Sequence, residues 1–263
     1  MSLKLGDIQE TMLIPLSIKA SETMRTNARI KDDKAVDIIK SLGANTERYD
    51  KFMSHEGVIA RTILIDGELN SYLKSYPKAT CINLGCGLDD RFSRVDNGKI
   101  TWYDVDLPDV IEVRKNFFAS KERVSMIAGS VLSDDWLTQI KTEEKVIIIG
   151  EGLLMYFEEK EVQHLLTSIS KKFSNFVLIA ELMPAFTANN ERYHDTVRQT
   201  KAQFKWGVDS GKELVKLCPY IRLVKENSFN VIMKQYSVRG WLFALLPKIN
   251  KMNNRLATFI SVM

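Results

Sequence analysis

Apolar positions in the first 75 or so residues recur at helical spacing. Ala35, Ile38, Ile39 and Leu42 share one face before Gly43 ends the run. A further helix is predicted over Gly57–Leu73, closed by Pro77. From residue 80 the texture changes, and short apolar runs appear: "TCINLGC", "ITWYDVD", "VSMIAGSVL", "KVIIIGEG" and "NFVLIAEL". They lack strict polar alternation and are linked by amphipathic stretches such as "LPDVIEVRKNFFASK" and "EEKEVQHLLTSISKKF". That pattern predicts a parallel sheet buried on both faces. Right-handed crossovers then make it a doubly wound α/β sheet.

After Glu181 the regularity is lost. Residues 183–214 read as helix, loop and helix, too polar for another strand. "YIRLVKENSF" and "RLATFISVM" are predicted as two last strands. The intervening "VIMKQYSVRGWLFALLPKINKMN" reads as helical, ending at Pro247. The expected organisation is a helical cap over residues 1–78, then an α/β domain over 79–263 with a lid inserted at about 183–215. There is no internal repeat or low-complexity tract.

Composition narrows the function classes. The chain has 263 residues, 45% hydrophobic and 27% charged, near the globular averages. Its net charge of +4 comes from 37 basic and 33 acidic residues with no basic run interleaved with aromatics, so no nucleic-acid partner is expected. "WLFALL" (Trp241–Leu246) is far short of the ~18 apolar residues of a membrane span, and no membrane partner is expected. The N-terminus lacks the pattern of a secretory signal. Cys81, Cys86 and Cys218 form no CxxC and cannot all pair, which points to a reduced, cytoplasmic setting. Oligomeric state is not readable from the sequence.

The stretch "CINLGCGLDDR" ends the first predicted strand, where open α/β sheets bind ligands. Gly85 and Gly87 allow a sharp turn and close backbone approach. A dinucleotide fingerprint would place its third glycine at Asp90, and the adjacent Asp89 and Asp90 would repel a diphosphate at a helix N-terminus. Asp104 and Asp106 follow at the end of the second strand, where an acid accepts hydrogen bonds from ribose hydroxyls. Asp106 is the expected ribose ligand, with Asp104 turned to the other face or to solvent. A nucleoside without phosphates beside an acidic turn suggests S-adenosylmethionine, whose sulfonium and ammonium groups are cationic.

The set "INLGCGLDDRFSRVD", "WYDVDLPDVIEVRK", "AGSVLSDDW" and "EGLLMYFEEKEV" resembles the leucine carboxyl methyltransferase family, within it the bacterial branch of polyketide-pathway O-methyltransferases. The resemblance runs from about Ala60 to Glu181. It implies a class I methyltransferase fold with a seven-stranded sheet and S-adenosylmethionine as methyl donor. By motif, Gly85 and Gly87 would line the methionine portion and Asp106 would bind the ribose. Ser130 and Val131 would lie against the adenine; many relatives carry an aspartate at the position of Ser130. Glu151 would face the cofactor's amino group, and Arg61 would pair with its carboxylate. The chemistry of these side chains agrees, since a carboxylate and an arginine complement a zwitterionic amino acid. An acid ending a run as apolar as "VIIIG" also needs a partner.

Methyl transfer from a sulfonium is chiefly a task of alignment. Tyr156 and Phe157 are candidates for an aromatic face near the sulfur, with Tyr156 the candidate catalytic residue. His194 is a candidate base should the acceptor be a phenol or alcohol, with weaker claims for His55 and His164. Cys86 has no local histidine and reads as a small filler of the turn. No metal-ligand spacing is present. The function expected is O-methylation of a small-molecule hydroxyl or carboxylate. The alternatives are protein C-terminal carboxyl methylation, or a catalytically silent cofactor-binding module. An NAD-dependent dehydrogenase is a distant third.

Overall fold

A computed structural model describes residues 9–44, 47, 49–142, 144–190, 203–236, 238–246 and 251–262. Three helices lead the chain: α1 (Leu13–Thr23), α2 (Asp33–Leu42) and α3 (Phe52–Ser75). Strands and helices then alternate: β1 (Thr80–Leu84), α4 (Arg91–Val95), β2 (Thr101–Asp106), α5 (Pro108–Lys115), β3 (Val124–Ala128), α6 (Asp135–Gln139), β4 (Val146–Gly150), α7 (Glu159–Lys172) and β5 (Phe176–Leu182). The remainder is α8 (Ala185–Ala188), α9 (Gly211–Leu217), β6 (Ile221–Ser228), α10 (Asn230–Tyr236), α11 (Val238–Leu245) and β7 (Arg255–Ser261).

Local chemistry explains several boundaries. The Asp32 side chain accepts from the Ala35 amide at 3.0 Å and starts α2, while Gly43 at φ 59° ends it in the left-handed conformation. Pro108 occupies the first turn of α5, where its missing N–H costs nothing. Helix α3 begins at Phe52, five residues before the predicted Gly57. The predicted helix before Pro247 is two helices, α10 and α11, whose sequel at 247–250 lies outside the described residues.

The seven strands form one sheet in the order β3-β2-β1-β4-β5-β7-β6. The first five pair in parallel, and β7 runs antiparallel to both β5 and β6. Every residue of β1, β4 and β5 is buried, the mark of central strands covered on both faces. Strand alternation sorts them into two cores. Ile82, Val105, Ile148 and Leu178 face α7 and its Val162, Leu165 and Ile169. Cys81, Trp102, Ile147 and Val177 face α3 and its Ala60, Ile65 and Leu69. Helix α3 is therefore a layer of the α/β sandwich itself.

Register positions the site. Leu84 pairs with both Val105 and Gly150, and Gly150 pairs with Ala180. The residues one step further, Gly85, Asp106, Glu151 and Glu181, therefore stand along one edge of the sheet. The chain reverses its winding direction between β1 and β4, the switch point at which α/β sheets open a crevice.

Candidate active site

Beyond that switch point lies a cavity of about 700 Å³. Its lining includes Arg61, Gly85, Gly87, Asp106, Glu151 and Tyr156, six of the residues singled out from sequence. Gly85 (φ 65°) and Gly87 (φ 50°) both adopt left-handed backbone, and a Cβ on Gly85 would come within 2.9 Å of the Leu153 side chain. The turn thus needs glycine for conformation and for space. The Gly85 amide donates to the Val105 carbonyl at 2.8 Å, tying the turn to β2.

Asp106 holds the turn from the other side. Its Oδ2 accepts from the Gly87 amide at 2.8 Å and its Oδ1 from the Leu107 amide at 2.8 Å. Burial pushes its carboxyl up from the ordinary aspartate range, opposed by those two amides and by Arg114. Asp104 corrects an expectation. Residues two apart share a strand face, so it is turned neither away from Asp106's face nor to solvent. It is fully buried and accepts from Arg114 Nη2 at 2.7 Å, Trp102 Nε1 at 2.9 Å and Asn83 Nδ2 at 3.2 Å. Arg114 also donates to the Gly87 and Asp89 carbonyls at 3.0 and 2.9 Å, so Asp104 braces the glycine turn from beneath.

The methionine-side end of the cavity is a charge network. Arg91, 1% exposed, reaches Asp66 at 2.7 Å, Asp89 at 3.0 Å and Glu151. Arg94 spans Asp66, Asp32 and Asp89 at 2.7, 2.8 and 3.0 Å. Lys19 of α1 donates to Asp89 at 2.6 Å. Arg61 Nε lies 2.8 Å from Glu151 but out of line for a hydrogen bond, and its Nη1 donates to Glu181 at 3.2 Å. Glu181 also accepts from the Gly152 amide at 2.8 Å and from Asn254 at 2.7 Å. Burial opposes ionisation of Glu151, but Arg61 and Arg91 outweigh it and hold the carboxyl down to about 2. Against the same opposition, Arg94, Lys19 and Arg91 hold Asp89 well below the usual carboxylate range.

This network revises the charge argument at the turn. Asp89 is compensated by three cations, and Asp90, bonded to Ser93 Oγ, starts the short α4. The pair is not a bare anionic patch. The selective feature is the sum: Lys19, Arg61, Arg91 and Arg94 face Asp32, Asp66, Asp89, Glu151 and Glu181, a net charge of one negative among the described residues. Of these, Lys19, Asp32, Asp66, Arg91, Arg94 and Glu181 were not singled out from sequence. Glu181 carried the signal that marked Glu151, an acid ending an apolar run. Lys19 carried none.

Ser130 and Val131 follow the end of β3, where the Gly129 amide donates to the Asp106 carbonyl at 2.8 Å. Neither lines the cavity; Leu107 and Val110 do. Val131 is packed in the core, its carbonyl accepting from Trp136 Nε1 at 3.1 Å. Tyr156 is half-buried, its ring 5.4 Å from that of Phe204, its hydroxyl bonded to Thr11. Segment 203–208 crosses here, with the Lys205 amide on the Met155 carbonyl at 2.8 Å and the Val208 amide on that of Met183 at 2.7 Å. His194 lies outside the described residues. His55 is buried between Asp50 and Glu22, and His164 sits on the surface 3.5 Å from Asp134. Cys86 is buried and its thiol pushed up by burial, consistent with a filler.

A mostly parallel sheet with one antiparallel strand near its end, and a crevice at the switch point, is an open α/β architecture that takes its ligand beyond the carboxyl ends of the strands. The chain matches the Leucine carboxyl methyltransferase family over residues 15–170 and belongs to that family. It is 25% identical over 227 residues to the tetracenomycin polyketide synthesis O-methyltransferase TcmP of Streptomyces glaucescens, covering 86% of this chain and 84% of the relative. It is likewise 25% identical to the S-adenosyl-L-methionine-dependent methyltransferase dpfgK of Gibberella zeae, covering 92% and 89%. Among solved structures, the N-methyltransferase NodS of Bradyrhizobium japonicum, in complex with S-adenosyl-L-homocysteine, superposes with a TM-score of 0.52 at 14% identity. That match covers 88% of this chain and all of the other, a likeness of fold. The protein is an S-adenosylmethionine-dependent methyltransferase.

Proposed function

We propose that the protein methylates an oxygen, a hydroxyl or a carboxylate, on an apolar small molecule. One observation carries this reading: the cavity joins the charged network to an apolar wall. That wall includes Met53, Met155, Met183, Phe204 and Phe229, and five of the chain's ten methionines line the cavity. Methionine packs adaptably around apolar shapes, and about 700 Å³ falls within the ~300–1,000 Å³ of small-molecule sites. The sequence similarity to TcmP supports the same class of acceptor.

The network suits the family's cofactor, whose two cationic groups and one carboxylate sum to one positive charge, opposite to the net charge of the site. S-adenosylmethionine, when bound, supplies a methyl group already activated on sulfur. Arg61 and Lys19 would hold its carboxylate, Glu151 its ammonium group, and Asp106 the ribose. Gly85 and Gly87 bring backbone close to the methionine portion. Ser130 and Val131 keep a part near the adenine only through the loop that follows β3. The protein's own task is alignment: Tyr156, fixed by Thr11 and Phe204, walls the space between the network and the apolar side. The acceptor is neither nucleic acid nor protein in this reading, and three free buried cysteines suit a reduced cytoplasm.

Calorimetry with S-adenosylhomocysteine, followed by assay of its release over a panel of phenols and carboxylic acids, tests the proposal. Tight cofactor binding with turnover of apolar acceptors is expected. Tight binding without turnover on any acceptor would establish a silent binding module instead. Turnover confined to peptide C-terminal carboxylates would establish the protein-modifying alternative.

A further inference from the structure

The second helix of the pair between β6 and β7 presents an exposed apolar face among the described residues. Helix α10 is anchored, with Asn230, Ile232 and Met233 buried. On α11 and the residue after it, Val238, Trp241, Leu242, Leu245 and Leu246 are each between 47% and 79% exposed. Their spacing of three, four, seven and eight residues from Val238 puts them on one helical face. Five large apolar side chains in a single exposed stripe is an interaction surface, unlike the scattered apolar residues of an ordinary exterior.

Charge indicates the occupant. From Asn227 to Met263 the chain carries Lys234, Arg239, Lys248, Lys251 and Arg255 and no Asp or Glu. With 37 cations and 33 carboxylates in all, the other 226 residues hold 32 and 33, so the whole positive excess resides in this segment. Lys234 and Lys251, on either side of the stripe in sequence, are exposed. A second copy packed about a two-fold axis would set this acid-free segment against itself. A tryptophan-bearing apolar stripe in a cationic, acid-free segment has instead the chemistry of a helix that lies in an anionic lipid interface.

We propose that α11 docks the protein on the surface of an anionic lipid bilayer. Such a helix lies in the interface and needs no span, so the shortness of "WLFALL", which argued against a membrane partner, does not bear on it. The docking element is continuous with the cavity, because Phe229 before α10 and Met252, Asn253 and Asn254 after α11 line it. Docking therefore turns one wall of the cavity toward the lipid, and, on the reading proposed above, suits an apolar acceptor drawn from the bilayer.

The test is co-sedimentation of the full chain with vesicles of phosphatidylcholine alone, and of phosphatidylcholine and phosphatidylglycerol at two to one. Binding is expected on the mixed vesicles, weaker on the neutral ones, and reduced by salt. The double substitution Leu242→Asp with Leu245→Asp should cut partitioning by roughly a hundredfold. Thermal unfolding and S-adenosylhomocysteine affinity, measured alongside, should stay unchanged. Should that variant fail to fold, Lys234→Glu with Lys251→Glu should selectively weaken binding to the mixed vesicles. Absence of binding to mixed vesicles, or binding that neither variant alters, overturns the proposal. So does a dimer in sedimentation velocity that Leu242→Asp with Leu245→Asp dissolves, in the absence of vesicle binding. Failure here leaves the methyl-transfer assay untouched, because vesicle binding is read without turnover.

Discussion

Replacing Arg91 by methionine keeps most of the side-chain volume and removes the guanidinium from the centre of the charge network. Arg91 contacts Asp66, Asp89 and Glu151 at once and is 1% exposed. In the variant each carboxylate keeps a cation: Asp66 keeps Arg94, Asp89 keeps Lys19 and Arg94, and Glu151 keeps Arg61. The cost should fall at the lower end of the ~3–5 kcal/mol for breaking a buried pair, about 3 kcal/mol. For a chain of this size that is a drop in Tm of about 6–12 °C. The penalty also has a required pH dependence. The native carboxyls of Asp89 and Glu151 are held below their ordinary values, so the stability they contribute is present above those values and lost as pH falls through the native ones. Without Arg91 they protonate at higher pH, which relieves the variant. The difference between wild type and Arg91→Met must therefore be greatest near neutral pH and shrink toward pH 4. Circular-dichroism melts at both pH values read this directly. A Tm drop under about 2 °C at neutral pH, or a drop undiminished in acid, refutes the account of the network.

Two other outcomes follow from the turn. Asp106→Asn keeps one acceptor oxygen but loses the charge, so cofactor affinity by calorimetry should fall at least about tenfold, as for ~1.5–3 kcal/mol. Because burial raises the Asp106 carboxyl, wild-type affinity should decline as pH falls, starting above the ordinary aspartate range, whereas Asp106→Asn should lack that decline; equal affinities or parallel pH profiles would remove Asp106 from the site. Cys86→Ala should retain methyl transfer, and iodoacetamide on the native protein should leave Cys86 unmodified by mass spectrometry, since its thiol is buried and pushed up. Loss of transfer on alkylation of Cys86 would restore a thiol role.

Much of the site was legible because each signal was local. A G-x-G turn after an apolar strand, an acid ending the next strand and an acid ending "VIIIG" each announce a requirement within a few residues. The strand register then brings Gly85, Asp106 and Glu151 to one edge, as parallel β1, β2 and β4 demand. Lys19 shows the limit: one lysine in the mostly apolar helix "LIPLSIKASET", its meaning set by Asp89, 70 residues away. Arg94 and Asp66 are likewise ordinary charges on helices until folding buries them together. Asp104 shows a second limit: its partner Arg114 stands on the following helix, and only packing shows this aspartate buried as a brace of the turn.

The sequence by itself determined the α/β class, the place and backbone requirement of the glycine turn, and the family, because hydrophobic period and turn residues act over short spans. The tertiary structure alone decided the charge balance of the cavity, the setting of Ser130 and Val131 outside its lining, and the exposure of α11. Those depend on which distant surfaces meet. A side chain's charge state and accessibility are set by what is packed against it, and the linear order of residues does not contain that.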